Sequence, residues 1–181
     1  MGSRCYGVAV LFICLLPGLQ PLYSQATPPS VLSLAILENL FQYWDEVSRV
    51  FGEYQEFSQS FYALLVDEEE RVGDALTLQN GADADDFIAF IERLRGLQVP
   101  TEVNEAFAGY GLGNQGYTVF TTVTFAMMLL MVEEEIHEAL MNLESVQRLY
   151  AENFAHAKSA FHPYDMRLIE ANFDDLMVLF E

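Results

Sequence analysis

Glu134 and His137 stand three residues apart in the run Glu133-Glu134-Glu135-Ile136-His137. On a helix that spacing places a carboxylate and an imidazole on one face. Carboxylate-bridged metal bundles use such Glu-x-x-His pairs, but they take two of them plus a Glu from each of two other helices. A second Glu-x-x-His is absent, because Glu152 and His156 are four residues apart. Glu134 and His137 are therefore candidate metal ligands without their partners. The plainer expectation is a surface imidazole among acids, with no cofactor and no metal.

Other residues invite chemistry by type. Gly111-Leu112-Gly113-Asn114-Gln115-Gly116 has the letters of a dinucleotide-binding loop. That loop works only after a strand, inside a βαβ unit. Here Glu102 to Ala108 reads as helix, so the glycines are expected to serve a sharp backbone turn. His156 and His162 flank Lys158, and Asp165 follows. A nucleophile on a tuned turn is missing beside them: there is no Gly-x-Ser-x-Gly elbow, and Ser145 and Ser159 fall on expected helices. Asp83 and Asp85 begin like a calcium loop, but Phe87 occupies the next ligand position and no glycine follows it.

The stretch 106–132 carries no charge. Its dense part, Val119 to Val132, is shorter than the roughly 20 residues a membrane-spanning helix needs. A buried core helix explains it without further assumption. A lipid-contacting or subunit-contacting surface is the functional alternative, with Val119, Phe120, Val123, Met127, Met128, Leu130 and Met131 as the contact residues. Tyr117 to Thr124 is β-branched and strand-like in propensity, yet no partner strand offers itself, so a helix is expected there too.

The elements that would position these residues are helices. After Pro28-Pro29, the Ser30 hydroxyl is expected to cap the first. Leu37, Leu40, Trp44, Val47, Phe51, Tyr54, Phe61, Leu65 and Val72 then recur at helical spacing. Gly52 falls inside that run and costs up to about 1 kcal/mol relative to Ala, which permits a kink without requiring one. Asn80-Gly81 marks a turn, and a short helix follows over 85–95. Thr101 is expected to cap a further short helix reaching Gly109. Ile136, Leu140, Leu143, Tyr150, Phe154, Ala157 and Phe161 form another stripe. Pro163 suits the first position of a last helix. The expected fold is all-α: an elongated helical bundle built on two long antiparallel helices, about 31–72 and 118–160, with shorter covering helices. Each long helix would span roughly 60 Å at ~1.5 Å per residue.

Composition narrows the function classes. Residues 1–26 read as a cleaved signal peptide: Arg4, the apolar run Tyr6 to Leu16, then Ser24-Gln25-Ala26 before the cut. Anchoring through a lipid on Cys14 is the rival, but Ile13 is large for the residue before such a cysteine. Cleavage removes both cysteines, Cys5 and Cys14, and leaves 155 residues without a thiol. Disulfides and cysteine chemistry are then excluded, and 27–181 is expected to be a single α-helical domain. That chain has 27 acids against 7 bases, since Arg4 is the only charged residue in 1–26, for a formal charge of −20. Such a surface repels phosphate, so nucleic acid is not an expected partner.

Taken together the residues suggest a secreted, extracellular, non-enzymatic protein. It is expected to act by protein–protein interaction or self-association, with its heptad stripe over 37–65 suited to pairing. A lipid or other apolar ligand bound through 117–132 is the first alternative, and a metal-dependent redox bundle the second.

Overall fold

The computed structural model describes residues 27–76, 81–139 and 144–180. The expected signal peptide lies outside the described residues. Within them the chain is all-α, with nine α-helices and no strand.

The first expected long helix is three. They are α1 (Leu34–Gln42), α2 (Trp44–Glu53) and α3 (Gln55–Leu76). The cap of α1 is Ser33, whose Oγ accepts from the Ile36 N–H at 3.3 Å; Ser30, the expected cap, is used elsewhere. The breaks fall at Tyr43 (φ −122°, ψ 23°) and Tyr54 (φ −109°, ψ 72°). Gly52 stays inside α2. The reason for breaking is burial. Leu37 and Leu40 of α1, Val47 and Val50 of α2, and Phe57 and Phe61 of α3 all face the interior. A straight rod of forty residues would touch a core of this size along only part of its length. Three short rods can wrap it.

The chain continues through α4 (Gly81–Arg95) and α5 (Thr101–Gly109). Thr101 opens α5 but makes no side-chain cap, the N-cap position being Pro100. A single 3-10 turn, Gly113–Gln115, leads into α6 (Gly116–Ala139), together the longest helical stretch at 27 residues. Then come α7 (Glu144–Ala157), a 3-10 turn at Lys158–Ala160, α8 (Pro163–Glu170) and α9 (Phe173–Met177). The second expected long helix, 118–160, is also divided. Lys158 Nζ lies 2.7 Å from Glu133 Oε2, whereas an unbroken helix would hold residues so spaced about 37 Å apart.

α6 is the central helix. Tyr117 meets Phe57 and Phe61 of α3 edge-on, with ring centroids at 5.4 and 6.3 Å. Phe120 stacks on Trp44 of α2 at 5.5 Å and on Phe107 of α5 at 6.1 Å. Phe125 meets Phe90 of α4 at 5.2 Å. Trp44 also packs on Phe180, which brings the chain after α9 to the same place, at 5.1 Å. Each large apolar side chain buried this way is worth about 1.5–3 kcal/mol of transfer free energy.

Burial also explains how a strand-like run becomes helical. Tertiary packing rewards residues 117–124 for presenting aromatics in several directions at once, which a helix does and a two-faced strand does not. The Thr121 hydroxyl is satisfied locally: its Oγ1 donates back to the Tyr117 carbonyl at 3.0 Å, the usual bond of a helical threonine.

Candidate functional site

Glu134 and His137 are both exposed on α6. Together with Leu130, Glu133, Glu170 and Phe173 they line an open depression of about 370 Å³ between α6, α8 and α9. Among the described residues no group of three His, Cys, Asp or Glu side chains is placed to hold a metal ion. Two of the nearby carboxylates are already committed. Lys158 Nζ pairs with Glu133 at 2.7 Å and with Glu170 at 3.0 Å. Burial pulls the Lys158 ammonium down, but the hydrogen bonds and charges of Glu133 and Glu170 outweigh it and leave it above its ordinary value.

The residues around Lys158 do not converge. His156 Nε2 bonds Asp85 on exposed α4 surface at 2.7 Å. His162 caps α8, its Nδ1 accepting from the Tyr164 N–H at 3.1 Å. Asp165 is buried and accepts from residues 30–32. Four residues close in sequence thus have four separate structural tasks. Asp83 and Asp85 lie within α4. Their carboxylates project from a helix, where a calcium loop would need them to converge from an irregular one.

The glycine run has a helix before it, α5, in place of the strand that nucleotide binding requires. Gly111 and Gly113 adopt φ of +77° and +73°, which carries the chain round from α5 to α6. At Gly116 a side chain would collide with Cβ and Cγ of Phe107. The run is the tight corner that lets α5 lie against the start of α6.

The uncharged residues of α6 mostly face inward. Val119, Val123, Met127 and Leu130 are buried; Phe120, Met128 and Met131 are half-buried. Gly113–Ala139 is long and apolar enough to cross a membrane by length and composition, and 67% of its most apolar window is inside the fold. For these side chains to touch lipid, the bundle would have to open.

Two polar arrangements were not legible beforehand. The first ties the start of the described chain to α8. Asp165, 1% exposed, accepts from Ser30 Oγ at 2.7 Å, from the Val31 N–H at 2.9 Å and from the Leu32 N–H at 3.1 Å. Arg95 lies close by, its Nη1 donating to the Ala160 carbonyl at 2.6 Å and its guanidinium 5.6 Å from the Phe161 ring centre. Burial lowers the Arg95 guanidinium from its ordinary value, against the opposing charges of Glu92 and Asp165.

The second is a surface. Gly52, Gln55, Ser58, Gln59, Tyr62, Ala63 and Val66 line an open concavity of about 600 Å³ along α2 and α3. None of them carries a charge. Tyr62 and Val66 are 54% and 66% exposed. At its floor Ser58, only 7% exposed, has a buried hydroxyl without a hydrogen-bond partner. The apolar stripe read from sequence runs beside this face, through Phe61 and Leu65, and packs inward. The signal that could have exposed the second row was Tyr62 and Val66 themselves, an i, i+4 pair outside the main stripe.

The chain matches no protein-family model, no curated protein and no solved structure.

Proposed function

We propose that this chain is a secreted, non-enzymatic helical protein that acts by binding another protein or by self-association. The observation that carries the reading is the uncharged face of α3. A chain with 27 acids spends seven neighbouring positions there without a single charge, and leaves a tyrosine and a valine more than half exposed. Solvated helix surfaces are normally charged; here exposed Tyr62 and Val66 sit beside uncharged Gln55, Ser58 and Gln59, and exposed apolar surface framed by polar residues is what a contact site presents. Secretion rests on the signal-like residues 1–26, which also explain a surface rich in acids as a means of solubility. Light scattering on residues 27–181, over a range of concentration and salt, tests the self-associating form. Val66→Glu should abolish any concentration-dependent mass increase. A monomer at every concentration would leave only the heterologous form.

The lipid reading keeps one observation in its favour, the length and apolarity of Gly113–Ala139. Its mechanism would be insertion of this segment once the acidic residues around it no longer oppose approach to lipid. Vesicle leakage at about pH 4.5 no greater than at pH 7.4 would end it.

A further inference from the structure

We infer that the α3 face is a seat for a basic amphipathic helix of another protein, and not for a second copy of this chain; the inference rests on the binding function proposed above. Gln55, Gln59, Tyr62 and Val66 follow one another at spacings of four, three and four. That is the alternation by which one helix offers a seam to another. Gly52, beside the start of the seam, has open space where a side chain would be. A partner backbone can therefore come close at that end.

Charge decides which helix fits. The seam is neutral, but it is flanked by exposed Glu53 and Glu56. Two copies face to face would bring these acids together, on chains that each carry about −20 at neutral pH. A helix with an apolar stripe and lysine or arginine on both flanks meets the seam and its acids at once. Such a helix would associate faster and more tightly at low salt, whereas a second copy would associate better at high salt.

The probe is a synthetic helix of three heptads, with leucine at the seam positions and lysine at the flanking ones. Its control is a peptide of the same composition, scrambled so that no apolar stripe forms. Residues 27–181 should bind the amphipathic peptide at least about tenfold more tightly than the scrambled one. Tyr62→Glu and Val66→Glu should each weaken that binding by about tenfold or more, although both make the protein more negative. Binding by net charge alone would be unchanged or stronger in these variants, and that result overturns the inference. Because both side chains are largely exposed, unchanged circular dichroism and melting are expected and show that the variants fold. If the peptide fails to bind while the protein itself associates at high salt in a Val66-dependent way, the basic partner is wrong and the self-association reading stands. If neither occurs, the binding function falls with it.

Discussion

Ser30 and Asp165 are 135 residues apart in the chain and 2.7 Å apart in space, hydroxyl to carboxylate. The same carboxylate takes the backbone N–H groups of Val31 and Leu32. One buried side chain thus closes the fold, holding the segment that leads into α1 against α8. If residues 1–26 are removed as a signal peptide, this bond fixes the new N-terminal segment only three residues from its end. Asp165→Ala would leave two backbone donors without an acceptor. We expect a loss of about 3–5 kcal/mol, read from the denaturant midpoint. Protease sensitivity over residues 27–33 should rise with it.

Tyr117 makes the second test. Its hydroxyl, inside the core, donates to the Leu94 carbonyl at 3.0 Å. Burial pushes its ionisation well above the ordinary value of 10.0. The folded state therefore keeps this proton at a pH where the unfolded chain has lost it. Stability is fully present below pH 10.0 and falls as pH rises beyond it. Tyr117→Phe should cost about 1–2 kcal/mol at neutral pH through the lost hydrogen bond, and should shift the midpoint of alkaline unfolding upward. An unchanged alkaline midpoint would contradict the assignment.

Lys158 gives a smaller effect of the same sign. Its ammonium is held above the ordinary 10.5 by Glu133 and Glu170, so the contribution is present below that pH and is lost as pH rises through the folded value. The three side chains are still 24–41% exposed. Lys158→Met should therefore change stability by no more than about 1 kcal/mol at neutral pH. The difference from the native protein should shrink in strongly alkaline solution, as measured by urea unfolding.

A pair of glycine substitutions separates packing from propensity. At Gly116 a methyl group meets Phe107, so Gly116→Ala should cost about 1–3 kcal/mol, as overpacking does. At Gly52, inside α2, there is open space, so Gly52→Ala should stabilise by up to about 1 kcal/mol. Thermal melting of both variants is the check, and the two shifts should have opposite signs.

The helical class was legible because periodicity is local. Apolar residues every three or four positions and Pro163 at a helix start need no knowledge of the rest of the chain. A stretch with no charge across 106–132 suggested a buried α6, but the pattern alone left a lipid-contacting or subunit-contacting surface open. Local patterns could not say where a helix stops when neither proline nor a flanking glycine stops it. The breaks at Tyr43 and Tyr54 follow from the need to wrap α1, α2 and α3 around a core, and that need arises only once α6 is in place.

The same limit separates Phe61 from Tyr62. Both are aromatic neighbours on one helix, and the one that meets Tyr117 goes inside while the other stays in water. Asp165 looked like a residue beside a histidine and became the anchor of a segment at the far end of the chain. Propensity, stripe and charge balance are properties of short stretches, and the sequence by itself determined those. Which of two apolar rows is covered, and which carboxylate finds backbone donors, depends on residues brought together from distant positions, so only the tertiary structure decided them.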